Sequence, residues 1–107
     1  MFIKQISVFI ENRPGRLAEF AALLAQNNID LVAISMADTT NFGILRAITT
    51  DYEKTTELLR GQGYTANLTD VLAVAVPDEP GGLAKVLKML NDADISIEYL
   101  YSLVRRV

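Results

Sequence analysis

Cysteine and histidine are both missing from this 107-residue chain. Without cysteine there is no disulfide framework, and a reducing cytoplasm is the compartment expected for it. Without histidine the commonest general base is gone, along with the usual metal ligand and the Ser-His and Cys-His nucleophile pairs. An enzyme would have to work with carboxylates or lysines. Basic charge is also scarce. Ten Lys and Arg stand against thirteen Asp and Glu, for a net charge of −3, and the basic residues are scattered apart from Arg105-Arg106. That balance argues against a nucleic-acid partner, which requires a basic stripe, and Phe9 alone is too little aromatic surface for RNA stacking. No apolar run reaches membrane-spanning length and no signal-peptide pattern opens the sequence, so no membrane partner is expected. The sequon at 67–69, "NLT", is then a chance match.

Half of the residues are apolar and about a fifth are charged, which suits one folded domain or two very small ones sharing a core. Residues 2–10 alternate, with Ile6, Val8 and Ile10 on one side and Gln5, Ser7 and Phe9 on the other, as in a half-buried strand. Asn12 reads as a helix cap, and Pro14 and Gly15 open a helix whose buried face holds Leu17, Phe20, Ala21 and Leu24. A strand at 29–37, a turn at "DTTN" and a strand at 42–49 follow. Asp51 then caps a second helix with Thr55, Leu58 and Leu59 inward, stopped by Gly61 and Gly63. A fourth strand occupies 64–68. The order βαββαβ predicts a ferredoxin-like α+β sandwich, an antiparallel sheet with both helices on one face and the first and third strands central. Phe9 and parts of Leu31, Leu45 and Ala75 are expected on the helix-free face, covered by a second domain or subunit.

The chain also repeats itself. A shift of 66 residues places Val8 on Val74, Pro14 on Pro80, Gly15 on Gly81, Leu17 on Leu83, Leu24 on Leu90 and Ile29 on Ile95. Both the strand phase (Leu72, Val74, Val76) and the helix phase (Leu83, Val86, Leu87, Leu90) are kept. We therefore expect a complete domain at 1–69 and, at 70–107, a partial βαβ repeat of the same fold, its last strand at 95–104. Lacking a third strand, the repeat would leave backbone groups unpaired. Shortening of a longer parent, with another chain or the first sheet filling part of the gap, is the favoured account. Exposed edges of this kind lead us to expect a homo-oligomer, most simply a dimer.

The two Pro-Gly turns carry the candidate site, which comprises Asn12, Arg13, Pro14, Gly15, Arg16 and Leu17, then Asp78, Pro80, Gly81, Gly82 and Leu83. At each, unpaired N–H groups at a helix N-terminus suit a carboxylate or phosphate. Asn12 would add an amide, and Arg13 or Arg16 a charge. Asp78 replaces Asn12 in the second turn and could cap the helix or hold an ammonium group, so the two turns are not chemically equivalent. A turn of this kind is also a good structural junction in any protein, and its weight comes from occurring twice. Glu11, Asp38 and Glu98, the carboxylates that an enzyme would use, read as solvated surface charge. No catalytic residue, metal or cofactor is expected.

The stretches "ENRPGRLAEFAALLAQNNIDLVAIS" and "PDEPGGLAKVLKMLNDADISIEYLY" resemble the opening halves of ACT domains. The series "MADTTNFGILRAI" followed by the second Pro-Gly-Gly-Leu resembles stand-alone tandem ACT proteins, some of them named for acetolactate synthase regulation. The resemblance implies a regulatory protein of amino-acid metabolism, with an amino acid held between two domains near the strand-to-helix turn. Asn12 matches the asparagine of the His-x-Asn-x-Pro-Gly pattern of serine-sensing phosphoglycerate dehydrogenases. Ile10 stands where that pattern has histidine, and Val76 and Asp78 depart further, which leaves the ligand open. The alternative is an oligomerisation module with no ligand.

Overall fold

The computed structural model describes residues 1–38 and 42–103. The expected turn at 38–41, the side chain of Asp38 and the end of the 95–104 segment lie outside the described residues. The elements are β1 (Phe2–Glu11), α1 (Arg16–Gln26), β2 (Leu31–Asp38), β3 (Phe42–Thr49), α2 (Tyr52–Gly61), β4 (Thr65–Leu72) and α3 (Gly82–Asp92). The four strands form one antiparallel sheet in the order β2-β3-β1-β4. This is the expected ferredoxin-like α+β arrangement, with the first and third strands central.

Register explains the core. Val8 of β1 lies opposite Leu45 of β3 and Ala66 of β4, so all three project from the same face. Ile6, Val8, Ile10, Leu45 and Ala66 then meet Phe20 and Leu24 of α1 and Leu59 of α2 in one buried cluster. Phe20 packs edge-on against Tyr64, ring centroids 6.0 Å apart. As expected, Asp51 caps α2: its carboxylate accepts from the Lys54 N–H at 3.1 Å. Thr55 is buried, yet its hydroxyl reaches the Asp51 carbonyl at 2.6 Å and Thr49 Oγ1 at 3.1 Å, which removes the cost of burying it. Lys54 Nζ donates to the Asn27 carbonyl at 2.7 Å, tying α2 to the C-terminal end of α1.

Several expectations need correction. Leu17 and Ala21, expected on the buried face of α1, are exposed. Leu45 and Leu31 are not on the helix-free face. Leu45 shares the register of Val8 and is fully buried, and Leu31, opposite Thr49, packs against the same core. The fourth strand does not stop at 68. It continues to Leu72 because β1 supplies partners down to Phe2, and the Ala73 N–H still bonds to the Met1 carbonyl at 2.8 Å. Finally, of the partial βαβ repeat only the helix is present as an element. Residues 74–76 and 95–103 belong to no strand. Alternation gives a segment strand character, but a ladder also needs a neighbour, and none of the described residues pairs with these two stretches.

The helix of the repeat follows its counterpart closely. Gly82–Asp92 begins and ends 66 residues after Arg16–Gln26. Asn28 and Asp94, also 66 apart, both leave their helices at φ 57°, and the N–H of Ile29 and of Ile95 each closes onto a helix carbonyl at 2.9 Å.

Candidate functional site

The two Pro-Gly turns have the same backbone. In the first, the Arg13 N–H bonds to the Glu11 carbonyl at 3.0 Å, Arg16 to Arg13 at 3.4 Å and Glu19 to Gly15 at 2.9 Å. In the second, Glu79 bonds to Pro77 at 2.9 Å, Gly82 to Glu79 at 3.0 Å and Lys85 to Gly81 at 3.1 Å. Gly15 and Gly81 both sit at φ 87°, a left-handed conformation that costs a residue with a β-carbon about 1–2 kcal/mol. Each glycine is the residue that caps its helix, and neither helix has a side-chain cap. The cap position of α1 is Gly15, three residues after Asn12. The N–H groups of Leu17 and Ala18, and of Leu83 and Ala84, make no backbone hydrogen bond to other described residues. They lie at the positive end of their helices, beside the exposed residues Asn12, Pro14 and Gly15, or Asp78, Pro80 and Gly81.

The side chains differ between the turns. Arg13 is exposed and its Nε lies 3.3 Å from the Glu11 carboxylate. Arg16 is engaged within its own helix and with Tyr64. Its guanidinium is 2.8 Å from Glu19 and 5.4 Å from the centre of the Tyr64 ring, with Nε buried and unbonded. A carboxylate of its own segment holds each arginine. Gly82 occupies the position of Arg16 and is buried: a β-carbon there would overlap the carbonyl oxygen of Pro77. Leu17 and Leu83 are both exposed. Of the other carboxylates considered, Glu11 is engaged with Arg13 and Glu98 is exposed.

Two concave regions lie elsewhere. One, of about 360 Å³, runs between α1 and the start of β4, lined by Arg16, Glu19, Leu23, Gln26, Gln62 and Tyr64. The other, of about 470 Å³, is an apolar recess on the helix-free face formed by Phe9, Phe42, Ile44 and Thr65. Of the predicted site residues, only Arg16 lines either one.

Sequence reasoning did not single out a cluster on that same helix-free face. Gln5 is fully buried there, although it alternates with the core-facing Ile6. Its Nε2 donates to Tyr99 Oη at 3.0 Å and to Ser7 Oγ at 3.3 Å, and its Oε1 accepts from Tyr101 Oη at 2.6 Å. Arg46, opposite Ser7 in the register, stacks over the Tyr99 ring at 3.8 Å. Burial raises the Tyr101 pKa above its ordinary value, neighbouring Tyr99 adds to the rise, and Arg46 opposes it. The available signal was the two-residue spacing of Tyr99 and Tyr101 in an alternating stretch, which turns both rings to one side.

The family model for an ACT domain pair matches residues 1–106. The chain belongs to the ACT domain-pair family. Among solved structures, a protein from Bacteroides thetaiotaomicron is 43% identical at TM-score 0.92, the match covering 98% of this chain and 73% of that one. The ligand-free regulatory subunit of aspartate kinase from Thermus thermophilus aligns at TM-score 0.70 and 19% identity, covering 92% of this ACT chain and 75% of that subunit. The corresponding subunit from Thermus flavus gives 0.66 and 19%, over 95% and 79%. At that identity these two subunits show a shared fold. No curated protein sequence matches the chain significantly. No helix among the described residues is long and apolar enough to cross a membrane.

Proposed function

We propose that the chain is a non-catalytic, ligand-binding regulatory protein of amino-acid metabolism, working in the cytoplasm as a homodimer. In this reading it is built from an ACT-like domain that closes with β4 at Leu72, rather than at 69, and the front portion of a second at 73–107. Its ligand is an amino acid or similar small carboxylate, held by Asn12–Leu17 and by Asp78 with Pro80–Leu83. The observation that carries the reading is the pair of turns: one hydrogen-bonding pattern, formed twice, leaving amides without a backbone partner among the described residues at two helix N-termini. Membership of the ACT domain-pair family supports it, as does the shared fold of the two aspartate kinase regulatory subunits. A carboxylate would take the amides of Leu17 and Ala18. Asp78 suits the second turn to an ammonium group, so the two ends of an amino acid would meet different turns.

The test is a thermal-shift and calorimetric screen of the proteinogenic amino acids against the whole chain. A ligand at ten times its Kd adds about 1.4 kcal/mol to stability, which raises Tm by several degrees in a domain this small. Gly15→Val, which closes the approach to the first turn, should abolish that rise. A flat response to every amino acid at millimolar concentration would sink the reading. It would favour the second one, an oligomerisation module, which the outward apolar side chains of α3 support: Leu83 is 47% and Met89 71% exposed.

A further inference from the structure

Residues 73–103 meet the four-stranded sheet in two different ways. At one end, Ala73 continues β4 and bonds to Met1. Beyond it, 74–81 belong to no element, and α3 packs extensively against none of the other helices or strands. At the other end, residues 96–103 make no backbone hydrogen bond to other described residues. What holds that end to the sheet is side-chain chemistry: Tyr101 and Tyr99 on Gln5, and the Tyr99 ring under Arg46.

We propose that residues 74–103 form an arm, hinged after Ala73 and latched across the helix-free face of the sheet by Tyr99 and Tyr101 on Gln5 and Arg46. Three features make the latch specific. Gln5 uses both ends of its amide, the carbonyl toward Tyr101 and the nitrogen toward Tyr99, so a shift of the arm by one residue loses both bonds. Gln5 and Arg46 belong to the central strands β1 and β3, so the seat is rigid. The seat is also polar, which makes the latch reversible: on release Gln5, Ser7 and Arg46 return to water and no large apolar surface is stranded. Ile95, Ile97, Leu100 and Leu103 are 43–58% exposed while the arm is docked, so apolar burial adds little to the hold. Because the arm carries the second Pro-Gly turn, the latch fixes that turn relative to the first domain. It does so whether or not either turn binds a ligand.

The experiment is limited chymotrypsin digestion of the whole chain, with cleavage after Tyr99, Leu100 and Tyr101 compared by mass spectrometry with cleavage after Phe9 and Leu45 in the sheet. The arm-to-sheet ratio is the readout, since general unfolding raises both rates together. Gln5→Ala should raise the ratio about tenfold and Tyr101→Phe, which removes a single hydroxyl, about threefold. Tyr101→Phe leaves the core untouched and decides the matter if Gln5→Ala folds poorly. An unchanged ratio in Tyr101→Phe overturns the latch. So does a wild-type arm cleaved as fast as a free peptide of residues 95–103.

Discussion

α1 and α3 start from the same turn, run the same length and end in the same left-handed residue, yet one lies in a core and the other does not. Phe20 and Leu24 are at most 1% exposed, whereas their counterparts Val86 and Leu90 are only half-buried. The difference is not in the helices. α1 lies under Leu45, Leu59 and Tyr64, contributed by β3, α2 and the connection from α2 to β4, and α3 has no equivalent cover among the described residues. Local sequence made both helices, and distant residues buried only one of them. Leu24→Ala should therefore cost about 2–5 kcal/mol of unfolding free energy, the range for emptying a closed core site. Leu90→Ala should cost under about 1 kcal/mol, as at a partly solvated position. Urea unfolding of the two variants measures both values. Equal losses would mean that something covers α3 in solution, and would break the comparison.

The same contrast accounts for what could be read from the sequence. The Pro-Gly turns, the three helices, the Asp51 cap and the strand order were all legible, because turn chemistry, capping and periodicity act over a few residues. The outcome for 74–76 and 95–103 was not, since a strand exists only with a neighbour, and the alternation of Ile95, Ile97, Tyr99 and Tyr101 says nothing about whether one is there. The missed Gln5 cluster has the same origin. A glutamine on the outward side of an edge-to-edge alternation reads as solvated until a segment 94 residues away folds over it. At the turns, the amides without a backbone partner were legible and the partners of the arginines were not. The directions of the arginines depend on Glu11, Glu19 and Tyr64, and the last of these is 48 residues from Arg16 (64 − 16).

A smaller effect should separate the two turns themselves. Their backbones coincide, but the first tolerates a β-carbon at its sixth position and the second does not, since at Gly82 one would overlap the Pro77 carbonyl oxygen. Backbone on both sides leaves no flexible end to move aside. Gly82→Ala should loosen its helix by about 1–3 kcal/mol, the usual cost of overpacking. Amide exchange at Lys85 and Val86 should accelerate accordingly. Arg16→Ala, at the matching position, loses only a surface ion pair and one cation–π contact. It should change exchange at Glu19 and Phe20 by less than about 1 kcal/mol. If the two substitutions have equal effects, the close approach of Pro77 is relaxed in solution and the turns are more alike than their side chains suggest.

The smallest effect concerns the latch, and it has a definite sign. Tyr101 is held above its ordinary pKa of 10.0, first by burial, then by Tyr99, with Arg46 pulling the other way. Among the described residues, the titratable groups acting on it are Tyr99 and Arg46, while its hydrogen-bond partner Gln5, and Ser7 beside it, are neutral. A tyrosine with a raised pKa favours the docked state while it is protonated. That contribution is complete below pH 10 and is lost as the pH climbs through the raised value, when the hydroxyl can no longer donate to Gln5 Oε1. The tyrosinate absorbance of the wild type minus that of Tyr101→Phe isolates this one titration, and its midpoint should lie above 10. Gln5→Ala frees the arm and restores water to the ring, so the same difference taken in that background should move back toward 10. A midpoint that starts at 10, or that Gln5→Ala leaves in place, would show that the ring is already solvated and that α3 is held to the sheet by nothing but the chain leading into it.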